Sequence, residues 1–159
     1  MVEGPYFVFT VLAALACGLV AGVFTAFSAF VMRGLAALPP NRGLAAMQSI
    51  NVAAVRPAFM ALFLGAAVLS AVVAVFTLVK WPEEAGVELL LGAALYLAGS
   101  FGVTMAANVP RNTALAELDP EAPESEEPWR AYVGEWTAWN HIRAGAALAA
   151  TACFVLALT

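Results

Sequence analysis

Residues 6–32 read YFVFTVLAALACGLVAGVFTAFSAFVM, 27 consecutive positions without a charge. About 20 apolar residues suffice to cross a bilayer as a helix, so this stretch is long enough to span. Three further apolar stretches follow, at 58–79, 87–107 and 142–159. Counting back about 20 residues from the last position carries the final span to Asn140. The expected spans are therefore 6–32, 58–79, 87–107 and 140–159, joined by polar loops at 33–57 and 108–139. The expected fold class is all-α, a four-helix transmembrane bundle forming one integral membrane domain over residues 1–159.

Composition supports this reading. The chain is 63% apolar, against about 45–50% in soluble domains, and its mean hydropathy is +0.87. Its net charge is −4, and its seven Lys and Arg make no basic stripe, so no nucleic-acid partner is expected. The first apolar run does not fit a signal peptide, which has a basic start and an apolar core of about 7–15 residues. Here the start is Met1-Val2-Glu3-Gly4-Pro5, and the run is read as a retained helix. Cys17 and Cys153 both fall in apolar stretches and no CxxC is present, which argues for packed thiols and against thiol-redox chemistry.

Basic residues set the expected orientation. Arg33, Arg42, Arg56, Arg111, Arg130 and Arg143 lie in or beside the loops 33–57 and 108–139, and Lys80 alone lies on the other side. The positive-inside rule places those loops in the cytoplasm and both termini outside. The acids between Asp119 and Glu127 weigh little in that rule. The chain is thus read as a multi-pass protein of the plasma membrane.

Inside the spans, small residues form a row on the first helix, Ala14, Gly18, Gly22 and Ala26. Such rows allow close helix packing in lipid. Pro39-Pro40 stops the chain after helix one, and Asn41 is read as the cap of a new helix. Residues 42–56 and the second span are expected to form one long helix, kinked near Pro57. On helix three, Tyr96, Ser100, Thr104, Asn108 and Asn112 recur every four residues. Polar groups in a span face protein or a cavity, so this row is expected to point into the bundle. Pro110 is expected to disturb helical geometry at Val109. Trp136, Asn140 and Arg143 share a helix face, and Trp139 stands four before Arg143, at cation–π spacing.

The only His and all five Asn therefore gather at one end of the spans. The candidate site is Gln48, Asn51, Asn108, Arg111, Asn112, Trp136, Asn140, His141 and Arg143, with Arg56 nearby. Amides and guanidinium groups stabilise an oxyanion. Indole stacks on aromatic rings. Imidazole titrates near neutrality and is the natural base. The same residues also suit membrane-edge anchoring and helix hydrogen bonding, and that reading stays open beside the chemical one. A protein metal site is not expected from one His without a suitable Cys pair. No phosphate-loop or dinucleotide fingerprint is present. The spans carry no acid except Glu88 at a helix end, which weakens a proton-coupled transporter.

Four segments occur together in order: Phe24-Thr25-Ala26-Phe27, Met47-Gln48-Ser49-Ile50-Asn51, Asn108-Val109-Pro110-Arg111-Asn112 and Trp136-Thr137-Ala138-Trp139-Asn140-His141-Ile142-Arg143. In these the chain resembles the DUF1772 family, also called the anthrone oxygenase family. The resemblance implies a four-helix membrane protein. It also implies oxidation of an enolisable lipophilic aromatic by O2, with no metal or flavin cofactor. On that implication His141 is the base, Arg143 and Asn112 hold the oxyanion, Asn108 and Asn140 orient, and Trp136 is the stacking wall. Gln48, Asn51 and Arg111 complete the substrate contacts. The expected partners are the lipid bilayer and a small lipophilic aromatic ligand, with the oligomeric state open. Two other classes fit the same residues: a non-catalytic binder of a small lipophile, and a structural subunit that docks a partner at its polar end.

Overall fold

The computed structural model describes residues 4–159. Residues 1–3, which entered the signal-peptide reading, lie outside the described residues. The described chain is all-α, with five helices. They are α1 (Gly4–Ala36), α2 (Pro40–Ala54), α3 (Pro57–Lys80), α4 (Gly86–Ala116) and α5 (Glu126–Leu156).

α1, α3 and α4 are each long and apolar enough to cross a membrane. Their outward faces carry exposed apolar side chains, among them Leu15, Leu19, Val68, Val75, Leu78 and Leu91. Exposure of this kind suits a lipid solvent, and the chain is that of a membrane protein. α5 is 31 residues long, but its first half carries Glu126, Glu127, Arg130 and Glu135, and it is not among the three apolar spans.

Two helices stand where one kinked helix was expected. Proline disfavours helical geometry in the residue before it. Arg56, before Pro57, is accordingly extended at φ −74°, ψ 158°. α2 ends at Ala54, and α3 starts afresh with Pro57 in its first turn. α2 itself begins at Pro40, after an extended Pro39. Asn41 does not cap it; its Oδ1 accepts from the neighbouring Arg42 N–H at 2.9 Å.

The segment 108–139, expected as a loop, is mostly helical. α4 continues past Pro110 to Ala116, and only 117–125 connects it to α5, ending in a 3-10 turn. Pro110 follows directly on a π turn at Thr104–Asn108, and a second π turn lies upstream at Leu95–Gly102. There the Val109 N–H reaches back five residues to the Thr104 carbonyl, and Val109 keeps helical angles. The Ala107 carbonyl accepts Arg111 Nη1 at 2.9 Å. π turns of this kind often mark functional sites. A row spaced by four drifts about 40° per step on an ideal α-helix. The extra residue in each π turn offsets that drift, and Tyr96, Ser100 and Asn108 all stay buried.

α1 packs against α3 and α5, and α4 packs against the same two, so each long helix has two long neighbours. The close approach lies between α4 and α5. A Cβ on Gly99 would meet the Ala146 Cβ at 2.7 Å, and one on Gly92 would meet Phe154 at 2.9 Å. The row on α1 makes no such seam: Gly22 has nothing within 4 Å and Gly18 only touches Thr151 at 3.5 Å. The interior divides into two clusters. One, in the apolar half, gathers Cys17, Val20, Phe24, Phe63, Tyr96 and Phe154. The other, at the polar end under α2, gathers Met32, Leu44, Met47, Leu115, Trp129 and Trp136.

Candidate functional site

Between these clusters lies a cavity of ≈ 300 Å³, at the lower end of the range for small-molecule sites, about 300–1,000 Å³. α1 supplies Phe24 and Phe27, α2 supplies Met47 and Asn51, and α3 supplies Phe59 and Phe63. Thr104 and Asn112 come from α4, and Trp136 and Arg143 from α5. Its walls are mostly apolar and aromatic. Phe59 and Phe63 stack with centroids 5.9 Å apart, and Phe27 meets Trp136 at 5.6 Å.

Arg143 is the one charged group in the lining, and it is 4% exposed. Its guanidinium sits 4.1 Å from the Phe24 ring centroid and 5.0 Å from that of Trp136. Nη2 donates to Asn140 Oδ1 at 2.7 Å, Nη1 donates to Thr104 Oγ1 at 3.2 Å, and Nε has no partner. Among the described residues no carboxylate forms an ion pair with it. A buried cation held by neutral acceptors and ring faces keeps its charge available to an incoming anion or enolate oxygen.

Asn140 fixes that guanidinium without lining the cavity. It is fully buried, and its Nδ2 donates to the Phe24 carbonyl and to Ser28 Oγ, both at 2.7 Å. Thr104 is held from behind by donation to the Ser100 carbonyl at 2.8 Å. Asn112 Oδ1 accepts from Tyr132 Oη at 2.9 Å and from Trp136 Nε1 at 2.8 Å. Those bonds engage the Asn112 oxygen, and its amide Nδ2 is the part of the side chain left to donate. The Asn51 Nδ2 is buried without a hydrogen-bond partner. Burial pushes the Tyr132 hydroxyl well above its ordinary range, against weaker opposing effects of Asn51 and Arg143, so it stays protonated and serves as a hydrogen-bond donor to Asn112.

The structure thus brings Asn51, Asn112, Trp136 and Arg143 to one cavity and separates the other sequence candidates from it. His141 is exposed on the far side of α5, in a separate depression between α1 and α5. Residues two positions apart on a helix are separated by about 200°, so His141 and Arg143 cannot share a face. Gln48 caps α4, its Nε2 donating to the Leu115 and Leu118 carbonyls at 2.9 Å. Asn108 is buried behind the cavity, and its Nδ2 donates to the Trp136 carbonyl at 3.2 Å. Arg111 turns outward to Glu135 at 2.9 Å and lies over Trp139 at 5.8 Å. Trp139 therefore pairs with Arg111, and Arg143 pairs with Trp136. Arg56 is exposed in the α2–α3 break. The walls Phe59 and Phe63 were not legible as site residues, because Phe in a span is equally a core or lipid-facing side chain. Phe24 and Phe27 did carry a signal, as part of the first family segment. Among the described residues no three His, Cys, Asp or Glu side chains come together.

No curated protein and no solved structure matches the chain. A family model described as anthrone oxygenase matches residues 59–153, more than half of the sequence and nearly all of α3, α4 and α5. The helical membrane architecture and this match agree: the chain belongs to the anthrone oxygenase family.

Proposed function

We propose that the protein oxidises an enolisable lipophilic aromatic ketone with O2 in the Arg143 cavity, without a metal or flavin. The observation that carries this reading is the buried guanidinium, with its unpartnered Nε and no carboxylate partner, in an aromatic-lined cavity. A preorganised cation stabilises an oxyanion most where water is excluded. Arg143 and the Asn112 amide receive the substrate oxygen, Trp136 and Phe27 flank the ring, and Asn51 contacts the substrate edge. Asn140 and Asn108 are positioning residues.

The chemistry asks little of the protein beyond this. Enolisation breaks one benzylic C–H bond and releases its proton to water, leaving the enolate oxygen against Arg143. The enolate gives one electron to O2, making a carbon radical and superoxide. These combine with formation of a C–O bond, and protonation gives a hydroperoxide. Loss of the remaining C–H proton with O–O cleavage forms the new carbonyl and releases water. The sum is CH2 plus O2 to C=O plus H2O.

In this reading α5 enters the bilayer with its apolar half, which makes a fourth crossing. Its exposed Ile142, Leu148, Val155 and Leu156 support that placement. The polar end then faces the cytoplasm of a plasma-membrane protein with both termini outside, as the distribution of Arg favours. O2 uptake by the purified protein with anthrone, above the spontaneous rate and lost in Arg143→Met, is the expected result. Uptake equal to the blank refutes the oxygenase reading. A second reading, binding of the same class of molecule without oxidation, is favoured by one observation: the lining holds no His, Asp, Glu or Lys to act as base. Saturable binding of anthrone without O2 consumption is the result that selects it.

A further inference from the structure

On the opposite side of α5 from the Arg143 cavity, a groove of ≈ 400 Å³ runs between α1 and α5. We propose that this groove binds the phosphate headgroup of an anionic phospholipid, held by Arg33, His141, Ser28 and Thr137. All four residues line it, and no carboxylate does. Arg33 and His141 are exposed at its rim, where a phosphate meets them without displacing protein. Thr137 Oγ1 is buried and has no hydrogen-bond partner. Threonine in a helix ordinarily returns its hydroxyl to the carbonyl four residues back, as Thr104 and Thr151 do here. A buried hydroxyl without such a bond is costly, and a turn of this groove-lining side chain toward the groove gives it a phosphate oxygen as partner. Ser28 Oγ already accepts from Asn140 Nδ2 at 2.7 Å, which leaves its O–H to donate to the same phosphate.

Depth selects the lipid over a free anion. α1 carries no charge from Gly4 until Arg33, so Arg33 marks where that helix leaves the apolar layer. Phe30 and Ile142, one on each helix flanking the groove, are 64% and 49% exposed and give acyl chains an apolar surface below the headgroup. His141, which the Arg143 cavity leaves unused, has a role here as a donor to phosphate. The inference rests on the membrane placement of α1 and does not depend on the oxygenase reading.

The test is native mass spectrometry of the full chain in detergent, titrated with phosphatidylglycerol, phosphatidylcholine or inorganic phosphate. Phosphatidylglycerol is expected to bind in preference to phosphatidylcholine and to raise the thermal midpoint more. Arg33→Gln with Thr137→Val is expected to weaken phosphatidylglycerol binding about tenfold, the loss of one or two charge-assisted hydrogen bonds. Arg130→Gln, at the same polar end but outside the groove, is expected to leave it unchanged. Equal binding of the two lipids, displacement by millimolar phosphate, or equal losses in the groove and Arg130 variants would each overturn the assignment. If the double variant fails to fold, the lipid preference and the midpoint shift of the unaltered protein decide.

Discussion

Replacing Arg143 by Met separates the functional role of this residue from a structural one. The guanidinium makes two hydrogen bonds, to Asn140 Oδ1 at 2.7 Å and Thr104 Oγ1 at 3.2 Å, and faces two rings. Hydrogen bonds of a charged group contribute about 1.5–3 kcal/mol each, and a desolvated cation–π contact about 2 kcal/mol. Against these stands a desolvation cost of several kcal/mol for a buried ion. The two sides nearly offset each other. Met fills much of the same volume, so the net loss reduces to the Asn140 oxygen left without its donor, about 1–3 kcal/mol. Transition-state stabilisation has no such compensation. Losing one oxyanion donor costs about 10²–10³ in turnover. Arg143→Met is therefore expected to fold in detergent with a modestly lowered thermal midpoint and to lose at least about a hundredfold in O2-dependent anthrone consumption. Spontaneous oxidation is subtracted with heat-treated protein. Arg143→Lys keeps the charge but not the two-pronged geometry, and is expected to fall between. A folded Arg143→Met protein with the turnover of the original refutes the reasoning. So does an activity loss that disappears once the unfolded fraction is corrected for.

His141→Ala is expected to leave turnover within about twofold, below the 10²–10⁴ that a general base contributes; a drop of that larger size restores imidazole to the mechanism. Asn140→Leu, which frees the guanidinium it holds, is expected to lower kcat with a smaller change in KM, and unaltered kinetics would remove its positioning role. With no acid, His or Lys in the lining and Tyr132 held protonated by burial, the rate between roughly pH 6 and 9 is expected to rise monotonically with substrate enolisation; a bell-shaped profile would point to a protein acid–base pair instead. Gly99→Ala forces a Cβ to 2.7 Å from that of Ala146 and is expected to cost about 1–3 kcal/mol. Gly22→Ala meets nothing within 4 Å and is expected to be neutral or slightly stabilising. Thermal unfolding of the two variants in detergent compares them directly.

Much of the site could be read in one dimension because α5 is regular there. Trp136, Asn140 and Arg143 share a face by spacing alone, and all three are buried. The row from Tyr96 to Asn112 was legible from its spacing by four, although the π turns that offset its drift were not. Gln48 and Arg111 were indistinguishable in sequence from ligand contacts. Each is a long polar side chain near the right end, and only its partner, a pair of carbonyls for one and Glu135 for the other, shows that it is occupied.

What the sequence by itself determined is the class of environment: long charge-free runs can only be satisfied as helices in lipid, where each backbone polar group must find its partner within the segment. It also determined the end of the molecule at which polar chemistry gathers, since the Asn residues, the only His and all the Arg residues lie in or beside the two loops at that end. The tertiary structure decided which of those polar residues meet. His141 and Arg143 are two positions apart in the chain, yet the helical repeat sends one to an outer groove and the other into the cavity. The break at Arg56-Pro57 made two helices where one was expected and let α2 roof the cavity with Met47 and Asn51. The walls came from four helices far apart in sequence, and their convergence depends on packing that no local pattern encodes.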